Sequence, residues 1–212
     1  MWTLRLAVVF VFVSTAIFSQ SLEEVALNNQ AVALMDSGNY KEAIIYLDKL
    51  TRADSINTIY RYNKAVTLFN LKRYEEAVRE YQILSESVPE ESEYLFQTGN
   101  AYEQLNNTKQ AVHFYNRAIE ADPDQFVYYF KRGTIFLKQN KLTEAEADFT
   151  TSLFHNPNHH NSLHNRGISR YKLGQLSKAC EDWCQSFLLG NSYSESHLAE
   201  NCKKSQPCVP VK

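Results

Sequence analysis

Residues 92–125 read SEYLFQTGNAYEQLNNTKQAVHFYNRAIEADPDQ, and the spacing inside this stretch decides the fold. Leu95, Gly99 and Tyr102 stand three or four apart, the period of one helix face and not the alternation of a strand. Ala111, Tyr115 and Ala118 resume that spacing after Asn106-Asn107, a turn signal. Asp122-Pro123 then ends the second helix, because proline cannot continue the hydrogen-bond ladder and biases its predecessor out of helical geometry. The stretch is a helix–turn–helix.

The same landmarks recur at an interval of thirty-four on either side of it: Pro89, Pro123 and Pro157; Gly99, Gly133 and Gly167; Ala43, Ala77, Ala111, Ala145 and Ala179. Gly38 and Gly174 lie four such intervals apart. Four residues after each alanine comes Leu47, Tyr81, Tyr115, Phe149 or Trp183. A small residue at the eighth place of each unit (Ala31, Ala65, Gly99, Gly133, Gly167) lets the partner helix approach, and the large residue at the twenty-fourth fills the space between helix pairs.

This pattern resembles the tetratricopeptide repeat, with units over 24–57, 58–91, 92–125, 126–159 and 160–193. The resemblance implies an all-α fold: a right-handed α-solenoid of about five helix–turn–helix units. Ser55 and Asn191 stand where the family places proline, Thr108 where it places an aromatic or leucine, and Arg170 where it places a large apolar residue. Solenoids need a capped end. Residues 192–204 supply an amphipathic segment for it, with Tyr193, His197, Leu198 and Cys202 as the expected inward side. The repeat domain then spans 20–204, between a leader over 1–19 and an irregular tail over 205–212.

The leader has a charged start at Met1 to Arg5, an apolar run from Leu6 to Phe18 and a polar exit at Ser19-Gln20-Ser21, the pattern of a secretory signal peptide. The run is shorter than the roughly 20 residues that span a bilayer. Export to a periplasm, envelope or exterior is therefore expected, with no membrane insertion after cleavage. The rest of the composition is that of a globular chain: 44% hydrophobic, 22% charged, six glycines and five prolines. A formal charge of −2 provides no basic field for nucleic acid.

All four cysteines fall late, at Cys180, Cys184, Cys202 and Cys208. In an oxidising compartment an even count favours disulfides, and four cysteines allow three pairings. Cys180 and Cys184 share one helix, so each reaches the C-terminal segment more easily than the other. The preferred pairing is Cys180–Cys202 with Cys184–Cys208. Zinc ligands come as C-x-x-C pairs, which this chain lacks. His155, His159, His160 and His164 cluster, and the last two are one helical turn apart, so a metal is an alternative to their use as polar turn filling. No H-E-x-x-H, G-x-S-x-G or phosphate-cradling loop occurs, and no enzyme, cofactor or metal is expected. Carboxylates such as Glu75, Glu76 and Glu144 read as solvated surface charges. Asn106-Asn107-Thr108 is a glycosylation acceptor sequence.

In the tetratricopeptide family the second, fifth, sixth and ninth places of the first helix point into a concave groove. The sixth place here reads Asn29, Asn63, Gln97, Lys131 and Asn165, and the fifth reads Asn28, Tyr62, Phe96, Phe130 and His164. Asn100 adds an amide at a ninth place. Carboxamides donate and accept, so a column of them can pair with the backbone of an extended peptide, beside an aromatic row that supplies contact area. The expected function is a non-catalytic interaction scaffold whose partner is another protein or an extended peptide segment. The alternatives are a structural envelope component that self-associates through its open repeat ends, and a metal protein built on the histidines. The Cys-Glu-Asp-Trp end of the last repeat, with the Gly-Asn turn and late cysteine after it, resembles exported repeat proteins of Bacteroidetes-type bacteria.

Overall fold

The computed structural model describes residues 22–202 and Cys208; the leader and the rest of the tail lie outside the described residues. Among the described residues there are eleven helices and no strand. None of these helices is long and apolar enough to cross a membrane. The chain divides into two compact units, 1–89 and 90–212.

The first unit holds α1 (22–36), α2 (Tyr40–Ala53), α3 (Thr58–Asn70) and α4 (Tyr74–Ser87). Ala31, Ala43, Leu47, Leu50 and Tyr60 form its buried cluster. The second unit holds α5 (Ser92–Gln104), α6 (Thr108–Ala121), α7 (Phe126–Lys138), α8 (Leu142–His155), α9 (His160–Lys172), α10 (Leu176–Leu188) and α11 (Tyr193–Asn201). Its core includes Leu95, Phe96, Tyr115, Tyr128 and Ile135.

The first helix of every pair stops in the same way. Gly38, Lys72, Asn106, Asn140 and Gly174 take φ between 56° and 77°. The N–H of each donates three residues back and that of its successor five back, as in Lys72 to Phe69 and Arg73 to Leu68. This left-handed cap satisfies the last carbonyls of the helix. Glycine and asparagine enter that conformation readily, whereas a Cβ without a local hydrogen-bonding group costs roughly 1–2 kcal/mol. Lys72 is the misfit. Lys72→Gly should therefore raise stability by about 0.5–1 kcal/mol, read as a higher urea midpoint at unchanged slope; a lower midpoint would contradict this account of the turn.

Close approach within a pair is visible at three glycines. A methyl group on Gly99 would lie 2.6 Å from the Tyr115 ring, and on Gly167 2.5 Å from Trp183 Nε1. On Gly133 it would lie 3.0 Å from both Asp148 and Phe149. In these three units the large residue at the twenty-fourth place thus packs directly on the bare backbone of the eighth.

A second set of contacts buries carboxylates that the sequence reading did not single out. The seventh place of one helix faces the twenty-third place of its partner. Lys64 pairs with Glu80 at 3.0 Å, and Arg132 and Arg166 form two-pronged pairs with Asp148 and Asp182 at 2.6–3.0 Å. The same cations reach back to the twenty-fifth place of the preceding repeat: Lys64 to Asp48 at 2.9 Å, Arg132 to Asn116 at 2.7 Å and Arg166 to Thr150 at 3.4 Å. Asp148 and Asp182 are buried. Glu75 and Glu144 are exposed, and Glu76 makes a surface pair with Arg73.

The cap also departs from expectation. α11 turns Ser194 inward, not Tyr193, which is 78% exposed. Each serine hydroxyl has one proton. Ser186 gives its proton to the His160 carbonyl and Ser194 gives its own to Ser186, which leaves His164 Nδ1 as donor to Ser194 at 2.9 Å. His197 stacks on Trp183 at 4.6 Å and 13°. Bridges Cys180–Cys202 and Cys184–Cys208 tie this end of the chain to α10.

Candidate functional site

In the first unit, Asn63 Nδ2 on α3 donates to Asn28 Oδ1 on α1 at 3.2 Å, so the amide row bridges consecutive first helices. Asn29 beside it is exposed, and Tyr62 is half-buried with its ring edge-on to Tyr81.

The second unit carries a denser polar row. Gln97 Nε2 donates to Glu93 Oε1 at 2.7 Å, and Asn100 Nδ2 donates to Gln97 Oε1 at 3.1 Å. The Tyr115 hydroxyl lies 2.9 Å from both Asn100 Oδ1 and Glu103 Oε2, with one proton to give, and the ionised carboxylate is the stronger acceptor. Lys131 Nζ donates to Glu103 Oε2 at 3.1 Å, and Lys138 Nζ stands 3.6 Å from Oε1. Burial opposes charge on Glu103, yet Lys131, Tyr115 and Lys138 together hold its carboxyl below the usual range. Burial and the neighbouring Glu103 push the Tyr115 hydroxyl up, so it stays a proton donor. Asn165 on α9 is half-buried.

The aromatic row is partly taken up by packing between helices. Phe96 is 7% exposed, packed at 5.7 Å from Tyr115 and 4.7 Å from Tyr128 of the next pair. Phe130 packs on Phe149 at 6.2 Å and on His159 at 4.7 Å, and His164 meets His197 of the cap at 5.4 Å. The rings of Phe96, Phe130 and His164 thus reach the following helix pair or the cap, and part of their area is used in packing there.

Nor do the four histidines converge. His159 sits between Phe126 and Phe130 with Nδ1 2.7 Å from Ser162 Oγ, and His155 stacks on Tyr129. Burial, with His160 and His197 as respective neighbours, pushes His159 and His164 below the ordinary imidazole range. Among the described residues no group of three or more His, Cys, Asp or Glu side chains is placed to hold a metal ion.

Glu103, Lys138 and Tyr115 escaped the sequence reading of the site. Glu103 and Lys138 occupy the twelfth and thirteenth places of successive first helices, one turn beyond the columns read there; that register was the available signal.

Comparison with known families agrees with this architecture. A profile described as "Psidin, N-terminal TPR repeats region" matches residues 32–131, and one described as "Tetratricopeptide repeat" matches 130–193. The chain is a tetratricopeptide-repeat protein. No curated protein matches it by sequence. Among solved structures it is similar to YrrB, titled a TPR protein with an unusual peptide-binding site, at 19% identity and a TM-score of 0.71, over 88% of this chain and 97% of that one. MamA from Desulfovibrio magneticus RS-1 is similar at 17% identity and a TM-score of 0.73, over 80% and 96% of the two chains. At such identities the likeness to these tetratricopeptide proteins is one of fold.

Proposed function

We propose that this tetratricopeptide protein is an exported, non-catalytic scaffold that holds a segment of another protein along the amide-bearing faces of its first helices. The observation that carries the reading is the recurrence of a carboxamide at the sixth place of four of the five first helices, Asn29 and Asn63 in one unit and Gln97 and Asn165 in the other, with Lys131 at the fifth such place. Such a row offers donors and acceptors to a backbone whatever its side chains, and an all-helical frame presents them without rearrangement. YrrB, named for a peptide-binding site, lends the reading a precedent within the fold. Export is supported by the apolar run Leu6 to Phe18 and by the two bridges, which persist in oxidising compartments. A bacterial periplasm or envelope fits both.

The test is in-cell crosslinking with the full chain, comparing wild type with Asn29→Ala plus Asn63→Ala, both in the first unit. Two lost hydrogen bonds should lower partner recovery roughly tenfold at unchanged helicity. Equal recovery would remove the amide face from consideration.

A further inference from the structure

Within the second unit each helix from α5 to α10 packs against the next along the chain, and the short turns between them reverse its direction. The turns inside the pairs, at Asn106, Asn140 and Gly174, therefore lie along one edge of the unit, and the loops between pairs lie along the opposite edge. Charge is sorted between the two. The first edge presents Lys109, Lys138, Lys141, Lys172 and Lys178, all exposed, with Glu144 as the only carboxylate across 104–110, 138–144 and 172–178. The opposite edge carries Glu90, Glu91, Glu93, Glu120, Asp122 and Asp124, and no lysine or arginine across 90–94, 119–127, 153–161 or 187–195.

Helix polarity does not account for the lysines. Cations are favoured at helix C-termini and carboxylates at N-termini. Lys138 and Lys172, at the ends of α7 and α9, obey that rule, whereas Lys109, Lys141 and Lys178 stand at the starts of α6, α8 and α10 and break it. The first unit keeps to it: α2 begins with Glu42 and α4 with Glu75 and Glu76, beside a single lysine, Lys41. Internal pairing does not account for them either. Lys138 stands near Glu103 and Lys141 lies over the Phe136 ring, but Lys109, Lys172 and Lys178 make no ion pair among the described residues. The basic edge thus belongs to the second unit and is not a demand of the repeat.

We infer that this edge docks on the headgroups of an anionic phospholipid bilayer. Every cation on it is lysine, a compact charge on a flexible stem that suits a diffuse field of phosphates and lacks the fork with which arginine grips a single carboxylate. The Gly174 turn sets Tyr171 (45% exposed) and Leu176 (44%) beside Lys172 and Lys178, an aromatic and an aliphatic side chain suited to the bilayer interface. The same surface repels the carboxylates of the opposite edge, which selects one orientation of the unit. This contact is separate from the amide-bearing faces and does not depend on the scaffold reading.

The test titrates the full chain with mixed phosphatidylglycerol–phosphatidylcholine vesicles and with phosphatidylcholine vesicles, and reads the bound fraction by co-sedimentation. The leader is common to every variant, so the edge is read from the ratio of the two affinities. Binding to the anionic vesicles should be at least about tenfold tighter at low salt and should weaken as ionic strength rises. Lys109→Glu plus Lys178→Glu should bring the ratio close to one while helicity holds and the melting temperature stays or rises, because both glutamates then sit at helix N-termini. Leu176→Ser should weaken binding to the anionic vesicles several-fold, which a purely ionic contact would not show. A wild-type ratio near one, a ratio that survives the two glutamates, or full binding by Leu176→Ser overturns the inference. Lysine-dependent capture of poly-glutamate without preference for anionic vesicles would assign the edge to an acidic protein segment, and overturns it as well. Asn29→Ala plus Asn63→Ala should leave the ratio unchanged, so that this inference and the amide-face reading fail separately.

Discussion

Asp182→Ala is expected to remove about 3–5 kcal/mol of stability, the range for breaking a buried ion pair by deleting one partner. The carboxylate accepts from Arg166 Nε and Nη2 at 3.0 and 2.7 Å and from Arg170 Nη1 at 2.9 Å. Arg170 keeps a second partner, Glu146, at 2.8 Å; Arg166 keeps only the longer contact to Thr150. Without Asp182 a mostly buried guanidinium faces a hole with no counter-charge. Asp182→Asn should fare little better, because half of the amide presents donors to a donor. Arg166→Met with Asp182→Leu should recover most of the loss, since removing both charges also removes the unpaired one. Urea unfolding of the three variants decides: a loss below 1 kcal/mol for Asp182→Ala would mean that water still solvates the arginines and the pair behaves as a surface contact.

That pair also marks where sequence reading stops. The helix pairs were legible because each landmark is a steric requirement of its own: Gly167 must be bare because Trp183 lies on it, and a tight turn at residue 174 must accept a positive φ. Such demands can be read from one residue at a time. The Arg166–Asp182 pair is different, since nothing in either residue says that positions sixteen apart face each other until two helices are packed. The departure at Arg170 was visible, and its explanation was not: a charge replaces the large apolar residue there because Asp182 and Glu146 are both within reach. Recurrence of basic and acidic residues at the seventh and twenty-third places of three units was the signal that register could have supplied.

The binding face was legible only in part, for a related reason. Which residues share a first-helix face follows from helical period, so the amides fall together as a row. How far a side chain reaches does not follow from period. Phe96 is long enough to touch Tyr128 on the next pair, and its area is spent on packing, while Asn28 at the same place of an earlier unit is short and meets Asn63 instead. The Tyr193 misassignment has a simpler origin. Ser194 is held by Ser186 and His164, and that polar contact sets the rotation of a helix with little apolar area of its own.

Replacing all four cysteines by alanine is expected to release α11 while the helix pairs remain. The helix has nine residues, fewer than the roughly 12–15 that sustain an isolated helix, and only Ser194 is fully buried. Covalent closure therefore carries much of its stability. The bridges span 22 and 24 residues, and loops of that size contribute about 3 kcal/mol each when formed alone. They interleave, so once Cys180–Cys202 is closed the second bridge closes an effective loop of only about ten residues and adds somewhat less. Removing one bridge should thus cost less than half of what removing both costs. Amide exchange across residues 193–201 should accelerate by roughly a hundredfold in the four-alanine variant, the equivalent of about 3 kcal/mol, and Trp183 should lose the His197 ring stacked on it. Exchange in α5 to α8 should change far less, because none of those helices touches a bridge. Unaltered protection of α11 would mean that the Ser186–Ser194–His164 hydrogen bonds and the Trp183–His197 stack hold the cap unaided.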